Sequence, residues 1–143
     1  MERGDIVLTH WGTIKSHVVS LFTRSQYSHC GLYLGHYVLI HSTMAGVDIS
    51  EWVDWRKRKL KILRPKNATT QQKAQVLNYC FSKFGEPYVL FGGLSCTSLI
   101  YEAYLSAGID LLSGKRKKLI YPEHFNKSSQ LEEVVNDETN PFD

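Results

Sequence analysis

SHCGLYLG at residues 28–35 and LSCTSLIYEAYLSAGID at residues 94–110 decide how this chain is read. In the second stretch Ser95, Thr97 and Ser98 supply capping oxygens around Cys96. Leu99, Ile100, Ala103, Tyr104 and Ala107 then recur at helical spacing as far as Gly108. Cys96 therefore heads a helix, and a thiol at that position ionises easily because unpaired N–H groups and the helix dipole favour thiolate. The same N–H groups offer part of an oxyanion hole. In the first stretch His29 heads a strand, and an imidazole beside a thiol is the minimum kit for nucleophilic catalysis. Against this stands the usual fate of each residue alone: a free cysteine as a small buried hydrophobe, a histidine as a hydrogen-bonded structural group.

Alternation along the strand puts His29, Gly31 and Tyr33 on one face and the apolar set Cys30, Leu32 and Leu34 on the other, the natural core face. His29 is then expected at a strand edge, facing the helix side or a cleft, with Gly31 leaving room for a backbone or substrate to approach. His41 lies on the returning strand. A two-residue turn at Gly35-His36 would put the two histidines on opposite faces. A three-residue loop, Leu34-Gly35-His36, opposes Tyr33 to Tyr37 and His29 to His41. The second register is the one adopted, Gly35 taking the left-handed conformation it needs. His41 would then accept the second ring proton of His29 and orient it.

The rest of the chain reads as one α+β domain. Strands are expected at 5–10, 29–34, 37–42 and 60–63, the last ending before Pro65. Ile14–Arg24 has helical spacing, and Glu51–Lys57 suggests a helical turn. Thr69 or Thr70 caps a helix to about Lys83, with Ala74, Val76, Leu77 and Phe81 inward. Residues 85–93 are glycine-rich loop. The domain is taken as 1–127, with 128–143 an acidic, loosely held tail.

Bulk properties bound the function. A length of 143 residues fits one domain, and 43% hydrophobic residues can fill its core. A net charge of +3 is too slight to imply nucleic acid. Three cysteines without paired spacing argue for a reducing compartment rather than a disulfide framework. The start MERGDIVLTH does not read as a secretory signal, and no apolar run approaches the ~18–20 residues of a membrane span. A cytoplasmic protein is expected.

HCGLYLG followed by YVLIHST and Gly46-Val47 resembles the histidine strand of the NlpC-type cysteine hydrolase superfamily. FGEPYVLFGGLSCTSLIYEAYLSAGI resembles its nucleophile segment. Here the histidine precedes the cysteine, the order of the circularly permuted papain-like branch, which contains YiiX-type amidases and the lecithin–retinol acyltransferase group. The opening GDIVLTHWGTIKSHVVSLFTRSQYSH also resembles the YiiX type, and the resemblance spans residues 4–126. It implies a small antiparallel sheet packed on helices, with Cys96 as nucleophile, His29 as base and His41 as third polar residue. It further implies Tyr88 in the pocket wall, positioning an amine or the oxyanion, with Gly93 and Ser95 beside the substrate. Many YiiX-type relatives carry glutamate at the third place and the acyltransferases histidine, although the Asn-Cys-Glu style motif of the latter is missing at Ser95-Cys96-Thr97. The implied chemistry is attack on an amide, peptide or ester carbonyl through a thioester, with no cofactor. A small peptide, amide or lipid-acyl group would be the substrate, released to water or another acceptor.

Other readings stay in view. His29, His41 and Cys96 together form a zinc ligand set, although no paired ligand spacing accompanies them. His124 in YPEHF follows the cysteine and could replace His29. Basic runs at 56–61 and 115–118 suit either a solvated edge or contact with phosphate groups of lipid or nucleic acid. Trp11, Leu21 and Phe22 suit peripheral contact with a membrane, against core packing as the commoner use of the last two. A non-catalytic module holding a lipid or peptide in the same pocket is the main alternative to an enzyme. Cys30 and Cys80 read as packing residues.

Overall fold

The computed structural model describes residues 1–10, 26–89, 95–115, 117 and 119–134. The helix expected at 14–24, Trp11, Leu21, Phe22 and Gly93 lie outside these residues. Six strands form one antiparallel sheet: β1 (Ile6–Thr9), β2 (His29–Gly35), β3 (Val38–Thr43), β4 (Gly46–Glu51), β5 (Leu60–Pro65) and β6 (Leu131–Val134), in the order β4-β3-β2-β1-β5-β6. Four helices are described: α1 (Trp52–Trp55), α2 (Thr70–Ser82), α3 (Cys96–Ser106) and α4 (Pro122–Asn126). None is long and apolar enough to cross a membrane.

Alternation in the central strands builds two apolar layers. Ile6, Leu8, Cys30, Leu32 and Ile40 pack with Val76, Cys80, Leu99, Ile100, Ala103 and Tyr104 of α2 and α3. Their neighbours Val7, Tyr33, Leu39 and Ile62 face the other way and pack with Trp52 and Trp55. The first layer is the main core, and burying such side chains contributes about 1.5–3 kcal/mol each. Asp5, fully buried, explains the Gly-Asp opening: Arg64 grips its two carboxylate oxygens at 2.7 and 2.8 Å, tying β1 to β5.

Both long helices start where the sequence puts them. Thr69 and Gln72 form a capping box on α2, Ser95 and Ser98 one on α3. At the other end of α3, Gly108 has φ +82° and the Gly108 and Ile109 N–H groups donate to Leu105 and Tyr104, a Schellman stop. The inward face of α2 differs from expectation. Val76 and Cys80 are buried, Leu77 is partly so, and Ala74 and Phe81 are exposed. The reason is the neighbour: Gln72, one turn before Val76, donates its side-chain amide to the Ala107 carbonyl and turns the 72-76-80 stripe toward α3.

Two strands, β4 and β6, fall outside the expected set because their sequences are polar. β4 alternates Val47 and Ile49 with Asp48 and Ser50, and β6, inside the expected tail, pairs Glu133 and Glu132 with Leu63 and Arg64. An edge strand needs only one apolar side, so charge on the other conceals it. The tail reading is corrected for 131–134; residues beyond 134 lie outside those described. In the basic run at 56–61, Lys59 donates to the Gln26 side chain at 2.6 Å and Lys61 pairs with Glu133 at 3.1 Å.

Candidate active site

The site grows from the β2–β3 hairpin, whose register departs from the expected one. Tyr33 pairs with Leu39 and Leu32 with Ile40, so continuing the ladder sets Gly31, not His29, opposite His41. The loop is two residues, His36-Tyr37, with φ of +50° and +60°, and the register shifts between Tyr33 and Gly35. A turn with both central residues at positive φ has the geometry favoured by two-residue hairpins. On its own it would put the histidines on opposite faces; the bulge at Leu34 restores the parity. His29 and His41 therefore share a face as diagonal neighbours, and His29 Nε2 lies 2.7 Å from His41 Nδ1.

That face is not the helix side. Both rings rest against Trp55, with centroids 5.4 Å away for His29 and 5.3 Å for His41. Trp55 is fully buried and fixed by a 2.7 Å bond from its indole N–H to Ser50 Oγ. The space beside Gly31 is filled by this ring: a Cβ there would stand 2.7 Å from Trp55 Cη2. Gly31 thus makes room for an aromatic wall rather than for substrate. The residues around the wall gave no periodicity that pointed to the histidines, because Trp55 reaches them only through β4 and α1.

Cys96, first residue of α3, is 8% exposed, whereas Cys30 and Cys80 are sealed at 0%. The proximity of Cys30, and then of the His29 imidazole with its charge, holds the Cys96 thiol well below its ordinary range against the cost of burial. Cys30 moves the opposite way, raised well above that range by burial and by the neighbouring sulfur. Burial alone pushes Cys80 up to about 12.

His41 is a neutral acceptor. Burial, and then the neighbouring His29, push it down to about 3, with Asp48 across the β3–β4 ladder opposing. Neutral at working pH, it offers Nδ1 to a proton on His29 Nε2. Unfolded His41 titrates near 6.5 and folded His41 near 3. Between those values the unfolded chain binds the extra proton, so the stability present above pH 6.5 is lost as pH falls toward 3. The expected slope from this group is about 1.4 kcal/mol per pH unit at most. Urea midpoints from pH 7 to 4 should drop more steeply in the wild type than in His41→Asn; equal slopes would contradict the assignment.

The loop before α3 is pinned beside this centre. Val47 N–H donates to Glu86 O at 2.9 Å, and Gly85 N–H donates to Val47 O at 2.8 Å. Gly46, at φ +111°, permits the approach, since a Cβ would meet Glu86 O at 2.8 Å. Two residues on, Tyr88 is half-buried, and burial, then the charges of Cys96 and Cys30, push its phenol up to about 12. It stays a neutral donor within electrostatic reach of the sulfur. Ser95 acts as the helix cap, its hydroxyl accepting from Ser98 N–H at 3.2 Å. His124 lies on α4 rather than in a loop, and its Nδ1 accepts the Tyr121 N–H at 2.9 Å.

Comparison with known proteins follows the same lines. The family described as "permuted papain-like amidase enzyme, YaeF/YiiX, C92 family" matches residues 1–139. Among solved structures the chain is similar to one titled as the metalloprotein yiiX from Escherichia coli O157:H7. The TM-score is 0.79 and the identity 18%, over 95% of this chain and 97% of that one. No curated protein matches the sequence.

Proposed function

This chain belongs to the permuted papain-like amidases, and we propose that it is a thiol-dependent amide hydrolase in which Cys96 is the nucleophile, His29 the base and His41 its orienting partner. The observation that supports the reading is one imidazole set between two groups. His29 meets His41 at 2.7 Å through Nε2, and its proximity and charge favour the ionised form of the helix-start sulfur of Cys96.

The reaction needs no group beyond these side chains. The Cys96 thiolate attacks the carbonyl carbon, and the oxyanion is stabilised by first-turn N–H groups of α3 and by the Tyr88 phenol. Collapse of the tetrahedral intermediate expels the amine, which takes its proton from His29, and leaves a thioester on Cys96. His29 then draws a proton from water, and hydroxide equivalent to that water releases the acid and regenerates the thiolate. The neutral His41 holds the imidazole in the tautomer and orientation that both steps use. The similar Escherichia coli protein carries the word metalloprotein in its title. Here, among the described residues, no group of three or more His, Cys, Asp or Glu is placed to hold a metal ion. His29 Nε2 and His41 Nδ1 are spent on each other, so no step is routed through one.

Amide and peptide carbonyls, including cell-wall peptides and lipid-linked acyl groups, suit this apparatus. An acceptor other than water would make the same centre an acyltransferase. The test is trapping. With a panel of peptide and acyl amides at neutral pH, mass spectrometry should find an acyl group on Cys96 and on neither Cys30 nor Cys80. Added hydroxylamine should divert it to hydroxamate. Binding of the same amides without any acylated Cys96 would instead favour the non-catalytic module.

A further inference from the structure

Gly31 on β2, Ser50 on β4 and Trp55 at the end of α1 converge on a single indole. The ring fills the space a side chain at Gly31 would need, its Cη2 lying 2.7 Å from where that Cβ would stand. Its N–H donates to Ser50 Oγ at 2.7 Å. Held in this way and fully buried, the indole lies against both members of the histidine pair. The His29 ring tilts over it at 34° with centroids 5.4 Å apart, and the His41 ring meets it nearer edge-on, at 62° and 5.3 Å. Trp52, on the same helix and in the same apolar layer, makes no ring contact with either imidazole, so membership of the layer does not by itself bring an indole to the pair. We propose that Trp55 is a positioning residue for the reaction, its ring backing the His29–His41 hydrogen bond, keeping water from it and fixing the angle at which His29 addresses Cys96.

The proposal rests on the nucleophile reading above and concerns how its base is held. One hydrogen bond between two imidazoles leaves each ring free to swing about its own side-chain torsions. A flat wall touching both removes that freedom without adding a titratable group. It also keeps water from competing for the 2.7 Å contact, and a hydrogen bond in drier surroundings is the stronger one. When the proton passes from Cys96 to His29 the imidazole becomes a cation, and an indole face within about 6 Å attracts a cation. Both effects favour the charged thiolate–imidazolium pair over the neutral one. Ser50 fixes the indole and Gly31 leaves it room, so both serve the same wall.

The experiment is alkylation of the intact protein by iodoacetamide across pH 4–9, with peptide mass spectrometry to assign the cysteine and urea midpoints to confirm folding. It compares wild type with Trp55→Leu, Trp55→Phe, Ser50→Ala and Trp52→Phe, and His29→Ala with His29→Ala/Trp55→Leu. The alkylation midpoint of Cys96 should rise by about half a pH unit in Trp55→Leu. It should rise by less in Trp55→Phe, which keeps a ring, and in Ser50→Ala, which keeps the indole but loosens it. Trp52→Phe should match the wild type. In the His29→Ala background Trp55→Leu should move the midpoint no further, because the wall then has no base to hold. A folded Trp55→Leu protein with the wild-type midpoint would overturn the proposal. So would a shift of full size in the His29→Ala background, or an equal shift in Trp52→Phe, since packing of the layer would then be responsible. If Trp55→Leu does not fold, Trp55→Phe and Ser50→Ala decide the question, and wild-type midpoints in both overturn it. A Cys96 midpoint that depends on His29 but not on Trp55 leaves the nucleophile reading intact. If wild-type Cys96 itself reacts only in the ordinary thiol range, that reading fails and this inference with it.

Discussion

Replacing Cys96 with alanine should lower kcat/KM on any amide the protein turns over by about 10⁴-fold or more, with the fold intact. The size follows from what is lost. Without the sulfur no thioester can form, and water must attack the amide directly. His29 could still act as a base and the α3 N–H groups could still bind an oxyanion, so a residual rate above background is expected. Serine should fare little better. A hydroxyl resists ionisation far more than a thiol, and the contacts with Cys30 and His29 that hold a thiolate are too small to make an alkoxide. Melting temperature at neutral pH should fall modestly in Cys96→Ala, because a thiol held below its ordinary range by the fold contributes stability wherever it is ionised when folded and protonated when unfolded. The paired measurement is kcat/KM with thermal melting. Activity within tenfold of wild type in a folded Cys96→Ala protein would remove the thiol from the reaction.

Much of this centre was legible because each key residue sits at the head of a strongly patterned element. Cys96 opens a helix whose apolar stripe is continuous, and His29 opens a strand with strict alternation. Their meeting needed only that the two elements pack. The hairpin was harder. His36 and Tyr37 adopt positive φ without being glycine, and nothing in their identity announces it. The bulge at Leu34 is equally silent. A wrong loop nonetheless placed both histidines on one face, because face depends on parity alone, and the turn plus bulge together conserve parity. Whether they stood opposite or diagonal was beyond reach of the pattern. Trp55 was invisible as a site residue for another reason. Its place against the imidazoles depends on β4, a strand whose Asp48 and Ser50 hide it. Gly31 was singled out correctly as a point of close approach, but the object approaching is that indole.

Removing His29 should cost about 10³-fold in kcat/KM, and the comparison with His41 tests how the pair works. His29 has two tasks, stabilising the thiolate and moving a proton to the leaving amine. Its loss should therefore also raise the pH at which Cys96 alkylates, since its proximity and charge favour the ionised sulfur. His41 touches neither sulfur nor substrate in this scheme. It acts through His29 Nε2 at 2.7 Å, so His41→Ala should cost less, about 10–100-fold. His41→Asn can present an amide oxygen in place of Nδ1 and should recover most of that loss. Held near 3, His41 does not titrate in the working range, so it should contribute no limb to the pH–rate profile above pH 4. Non-additivity is the sharpest part of this expectation. In the double variant His29→Ala/His41→Ala, the second change has nothing left to orient, and kcat/KM should stay within about threefold of His29→Ala alone. A double variant slower by the full product of the two single losses would mean that His41 acts independently of His29, and the linear arrangement from His41 through His29 to Cys96 would have to be abandoned.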